Sequence, residues 1–251
     1  MLDRLGLGLT FSAALSLTLA TAQAAAPEVG KAVVVKNEVV LQSPAEAKPL
    51  KRGVSVHQDE SLITGKGASA EIELQDKTKL AVGPDSTIVL DKLVFDASAG
   101  QSVTLNLSKG AFRFVTGLSP KETYEIKTPT ATMGVRGTVF DVFVTPEGET
   151  AVLLHEGAVD ICPTPSSCQR HDRKGRVVHV SLARVLTSPL NWDATLFKGM
   201  AFAAAFPFVG KRLIVDPVRR VAHASLTTAP RTARKIVETP AKVIKRVVPR
   251  F

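Results

Sequence analysis

Thr128-Pro-Thr-Ala-Thr-Met-Gly-Val-Arg-Gly-Thr-Val-Phe-Asp-Val-Phe-Val144 runs from a proline-marked turn through two glycines into an alternating apolar strand. Pro129 fixes its own φ and drives Thr128 toward extended backbone, so the chain enters the stretch drawn out. Gly134 and Gly137 bracket Val135 and Arg136, and glycine there supplies a positive φ or a close backbone approach, as at a bulge or tight corner. After Thr138, the residues Phe140, Val142 and Val144 share one face, with Asp141 and Phe143 on the other. Arg136 presents five donors in a planar fork. It contacts a partner or staples loop carbonyls or a carboxylate inside the domain, and the residues alone leave both readings open.

Outward from this stretch, residues 32–182 show short β-type runs separated by turn residues every 8–12 positions, with no sustained 3.6-residue apolar period. Ala70-Glu-Ile-Glu-Leu-Gln75 alternates cleanly, which puts Ala70, Ile72 and Leu74 inward and Glu71, Glu73 and Gln75 outward. Asp76-Lys77-Thr78 turns the chain, and Lys79 to Val82 returns it. Val103 to Leu107, Phe112-Arg-Phe114, Tyr124 to Lys127, Ala151 to His155, Ala158 to Ile161 and Val177 to Val180 complete the series. The expectation is an all-β domain over residues 30–182, long enough to bury a core.

Several of these segments, in this order, resemble the FecR-domain family. The hallmark is Thr128-Pro129 followed by Arg136-Gly-Thr-Val-Phe140, with Leu62-Ile-Thr-Gly65, Leu107-Ser-Lys-Gly110 and His155-Glu-Gly-Ala-Val159 as further matches. Lys77 stands where the family customarily has glycine, which suggests a different turn there. The resemblance implies a β-sandwich or short β-solenoid of many short strands, and a periplasmic module that contacts protein or glycan. It marks Thr128, Pro129, Gly134, Arg136, Gly137, Thr138 and Phe140 as candidate partner contacts. Some members relay a signal from an outer-membrane transporter to a sigma-factor regulator. Those carry a cytoplasmic segment and a membrane span ahead of the β-domain, which is not the pattern read here, so sigma-factor contact is not carried over.

Residues 1–24 read as a signal peptide: Arg4, an apolar run from Leu5 to Ala20, and Ala22-Gln23-Ala24 as cleavage site. That run is about 15 to 18 residues, short of the ~20 a bilayer span needs. Export to the periplasm or beyond is expected, the alternative being an uncleaved inner-membrane anchor, because Asp3 offsets Arg4. Cys162 and Cys168 are the two cysteines. In an exported chain such a pair favours a structural disulfide over zinc, for which the scattered histidines give no finger-like spacing.

The net charge of +9 is carried wholly by residues 190–251, which hold 12 Lys+Arg against 3 Asp+Glu. Within them, Trp192 to Phe208 is rich in Ala and Phe and is expected to form a short helix packed on the β-domain. Prolines 217, 230, 240 and 249 then punctuate basic clusters, the signature of a partly disordered tail. In Ala241 to Val248 a helix would set Lys242, Lys245 and Arg246 against Val243, Ile244, Val247 and Val248. Such a segment suits an anionic membrane surface or cell-wall polymer. Nucleic acid is not expected, since the chain is exported and its tail has few aromatics for stacking.

None of the G-x-S-x-G, H-E-x-x-H, P-loop or G-x-G-x-x-G patterns occurs in a supporting context. The carboxylates alternate with apolar residues as on a solvated face. The reading is therefore non-enzymatic, without cofactor or metal: a binding or signalling module of the bacterial cell envelope. The alternative is a structural envelope protein tethered by its basic tail.

Overall fold

The computed structural model describes residues 26–95, 102–120, 124–197, 199–211 and 213. Residues 1–24, expected to be a signal peptide, and the expected basic tail, including Lys242, Lys245 and Arg246, lie outside the described residues.

Fourteen strands form one continuous hydrogen-bonded sheet that folds over into two layers. Three strands are long: β9 (Ser102–Val115), β11 (Thr132–Val144) and β12 (Thr150–Thr164). The first half of β9 pairs with β8 (Thr87–Val94) and β10 (Tyr124–Lys127), whereas its second half pairs with β7 (Lys79–Val82) and β11. The first half of β11 pairs with β10, and its second half with β9. Along β12, the first half meets β14 (Val177–Val180) and the second half β13 (Ser167–His171). Each long strand thus serves one layer and then the other.

One layer continues outward from β8 through β5 (Ser61–Thr64) and β2 (Val39–Gln42) to β3 (Ala47–Pro49). The other continues from β7 through β6 (Ser69–Leu74) and β1 (Glu28–Lys36) to β4 (Ser55–His57). A single apolar core lies between them, with Leu62, Ile72, Leu90, Leu105, Phe112, Phe140 and Val178 in it. Burying residues such as these supplies roughly 1.5–3 kcal/mol each against backbone and side-chain entropy. The all-β fold expected from the sequence is the one observed, with its layers joined by continuous strands.

A long strand can change layer only where its backbone bends sharply. Glycines with positive φ stand at those points: Gly110 (102°) in β9, Gly137 (59°) in β11 and Gly157 (82°) in β12. The register of β11 against β12 slips between Arg136 and Val139, which marks the bulge at Gly137. Gly134 is different: it stays in register opposite Asp160, without a positive φ.

The second layer is covered on both faces. Ala111, Phe143, Ala151, Leu153 and Val177 point away from the main core and meet Phe197 and Phe206. A 3-10 turn, Ala194–Phe197, and a four-residue helix, Phe202–Ala205, carry this cap, with Trp192 stacked on Phe197 at 4.8 Å between centroids. The Ala- and Phe-rich segment therefore packs on the β-domain, as two short turns where one helix was expected. Lys77 adopts φ 67°, in the left-handed region that favours glycine. Glu71, expected outward, is buried on the second face. Cys162 and Cys168 are disulfide-bonded with S–S 2.05 Å, across the β12–β13 hairpin.

Candidate functional site

The hallmark residues are mostly consumed in holding the chain's corners. Thr138 is buried; its Oγ1 donates to the Ala158 carbonyl at 2.9 Å and its N–H donates to Thr116 Oγ1 at 2.8 Å. The corner of β11 is thereby tied to β12 and to the end of β9. Thr128 donates through Oγ1 to the Ala131 carbonyl and accepts from the Ala131 N–H, both at 3.0 Å, which closes the turn around Pro129. Thr150 Oγ1 then donates to Thr128 Oγ1 at 2.8 Å. Phe140 is fully buried in the core.

Among the candidates whose exposure is described, Pro129, Gly134 and Gly137 are exposed and Thr128 is half-buried. Gly134 sits on the outer face of the first layer, in a cross-strand row between exposed Asp160 and half-buried Glu125. A Cβ there would meet nothing within 4 Å. The backbone of Arg136 pairs with Ala158, and its side chain lies outside the described residues.

The arginine staple that the structure does show is Arg113. Its Nε donates to Asp141 Oδ1 at 2.5 Å and its Nη2 to Oδ2 at 2.8 Å, a bidentate pair between adjacent strands. His155 Nε2 lies 2.9 Å from Arg113 Nη2 and 3.0 Å from Asp141 Oδ2. Both charged partners are almost wholly buried. Sequence reading missed this cluster. Its signal was there, in single charges flanked by core residues: Phe112-Arg-Phe114 and Phe140-Asp-Val142.

A second polar hub pins the turn at Lys77. Asp76 Oδ2 accepts from Tyr124 OH at 2.7 Å, Ser119 Oγ at 2.7 Å and Thr78 Oγ1 at 2.8 Å. Burial, and then the bond to Asp76, push the Tyr124 hydroxyl's pKa up. Two histidines near the C-terminal end of the domain are held below the usual imidazole range by burial. His171 places Nε2 3.0 Å from the Arg176 carbonyl, and that bond partly opposes the shift. His179 lies under Phe197 at 4.8 Å, with Glu149 opposing the shift from 3.8 Å.

A pocket of about 380 Å³ opens between the β9 corner and the cap, walled by Gly110, Phe143, Met200 and Ala204, with Asp85 and Lys109 also lining it. Among the described residues lining it, Asp85 is the one carboxylate, without the second that glycoside hydrolysis uses. Among the described residues, no group of three or more His, Cys, Asp or Glu is placed to hold a metal ion, and no helix is long and apolar enough to cross a membrane.

Residues 60–160 match the family model described as FecR protein, a span running from the edge of β5 through most of β12. No curated protein matches. Two crystal structures from Parabacteroides distasonis ATCC 8503, each described as "a putative anti-sigma factor", are similar. The first shares 18% identity over 55% of this chain and 62% of its own, at a TM-score of 0.44. The second shares 17% identity over 65% of this chain and 71% of its own, also at 0.44. The alignment thus spans a little under two thirds of the first of these chains. The chain thus contains, over residues 60–160, a segment that matches the FecR family, and the corner glycines Gly110, Gly137 and Gly157 all fall within it.

Proposed function

We propose that this protein is a non-enzymatic binding and signalling module of the bacterial cell envelope, exported through residues 1–24. The observation that supports it most is the match of residues 60–160 to the FecR family. Within that span, Gly110, Gly137, Thr138 and Gly157 serve backbone corners, which suits a rigid scaffold. A partner approaching the hallmark stretch meets Pro129, Gly134 and Gly137 on the surface. An envelope protein or glycan is the expected partner. Crosslinking in intact cells, with a photoreactive residue at position 134, tests this reading. One discrete adduct in the envelope fraction supports it, and recovery of the protein in the cytoplasmic fraction overturns it.

A second reading has its own support, the concentration of the whole net charge in residues 190–251. In it, the basic arm tethers the domain to an anionic membrane or cell-wall polymer. Salt extraction separates the two, because screened charge contacts release early while apolar docking resists.

A further inference from the structure

The charge of the folded domain is unevenly placed. Residues 1–189 hold 20 Lys+Arg and 20 Asp+Glu, yet Arg170, Arg173, Lys174 and Arg176 crowd one short stretch with Asp172 as its single acid. The structure gathers them at the turn between β13 and β14, where residues 172–176 are all exposed. Arg170 and Arg173 keep 59% and 77% of their side chains exposed, and their ion pairs are long, 3.8 Å to Asp160 and 3.9 Å to Asp172. Exposed pairs of this kind hold their cations weakly.

The backbone beneath these cations is fixed. His171, with no exposed surface, sits under the turn beside the Arg176 carbonyl. The Gly175 N–H donates to the Leu154 carbonyl at 2.7 Å, and the Arg176 N–H to the Arg173 carbonyl at 3.2 Å. Arg176 Nη1 donates to Asn191 Oδ1. At the other end of β13 the disulfide ties the strand to β12. Folding has therefore already met much of the ordering cost of a multivalent contact. Among the named strands, β13 and β14 pair only with β12, so the turn stands at one edge of the fold. The described chain ends far across the second layer, with Leu213 packed beside Ala81 of β7 and Phe208.

We infer that the β13–β14 turn is a docking surface for an anionic phospholipid bilayer, separate from the basic C-terminal arm. Guanidinium forks match headgroup phosphates bidentately, and Lys174 adds a point charge. An array of exposed cations at a rim suits a flat surface, where each cation gains from the negative surface potential. The inference reaches beyond the envelope reading and is tested without cells, so its failure would leave that reading standing.

The experiment uses residues 25–251, which contain every described element and the basic arm. Partition onto phosphatidylcholine vesicles, with and without phosphatidylglycerol, is measured by cosedimentation. R173E/K174E is compared with K51E/R52E, an equal charge change on exposed residues near β4. The expected result is binding that requires phosphatidylglycerol and falls about tenfold in R173E/K174E, with about a twofold loss at most in the control. Near-ultraviolet circular dichroism matching the parent verifies both folds. Equal losses in the two variants, or none at the turn, would overturn the inference. Displacement by inorganic phosphate beyond that by chloride at matched ionic strength would also overturn it, in favour of a discrete phosphate site.

Discussion

Gly157 and Gly137 lie so close that a Cβ on Gly157 would overlap the Gly137 carbonyl oxygen and stand 3.0 Å from the Cα of Thr138. Two neighbouring strands change layer side by side here, and no side chain fits between them. Gly157→Ala combines a positive φ with a backbone collision and is expected to cost about 3 kcal/mol or more. Gly137→Ala carries only the φ penalty, about 1 to 2 kcal/mol, because its missing Cβ faces open space. Gly134→Ala has neither problem and should stay within about 0.5 kcal/mol. Urea denaturation midpoints of the three variants check this order, and a Gly134 variant as damaged as the Gly157 one would refute it.

The Arg113–Asp141 pair predicts an asymmetry. Removing one partner strands a buried charge, so Asp141→Ala is expected to cost about 3–5 kcal/mol. Replacing both with apolar residues, as in Arg113→Met with Asp141→Leu, should recover most of that loss. Thermal unfolding of the two single variants and the double variant gives the comparison; strictly additive losses would argue against it.

His171 and His179 set a pH dependence. Burial lowers both folded-state pKa values below 6.5, the value taken for the unfolded chain. A depressed histidine pKa means the unfolded chain binds protons first as pH falls. Their contribution is thus full above the unfolded value and declines as pH drops through 6.5 toward the folded values. The denaturation midpoint should fall between about pH 7.5 and pH 5, less steeply in H171Q/H179Q. A midpoint that rises on acidification would contradict the assignment.

The cap predicts a cost at a distance from the main core. Phe206 is 1% exposed and packs on Phe143 and Ala111 from outside the second layer. Phe206→Ala should destabilise by about 3–5 kcal/mol and expose apolar surface that binds a hydrophobic dye. A variant with wild-type stability would mean the cap is dispensable.

Reducing the Cys162–Cys168 bond, or Cys162→Ser with Cys168→Ser, should cost about 2 kcal/mol, given the short loop it closes. Comparing unfolding with and without reductant measures it directly, and an effect near zero would assign the bond a role other than stability.

Much of the fold was legible because β-structure writes its faces in alternation. Phe140, Val142 and Val144 against Asp141 and Phe143 could be sorted from the sequence, and the structure keeps that sorting, with one set in the central core and Phe143 under the cap. The positive φ of Gly137 was anticipated, but the same reading was applied to Gly134, which shows neither a positive φ nor a close neighbour, so a glycine on a strand does not by itself mark the corner. The left-handed φ of Lys77 was not legible, because a non-glycine residue took a conformation that glycine favours, with Asp76 accepting the Thr78 N–H at 2.9 Å across the turn. Glu71 misled because alternation names two faces without saying that both are covered.

Composition and pattern alone determined that this chain is all-β, that its two cysteines pair, and that its excess charge gathers at the C-terminal end. Periodicity and residue chemistry are local properties, and each residue carries its own. Only the folded chain decided that the long strands serve two layers, that Arg113 meets Asp141 twenty-eight positions away, and that four cations share one rim. Those relations depend on register between strands, which hydrogen bonding and core packing settle together, and no single stretch of sequence contains them.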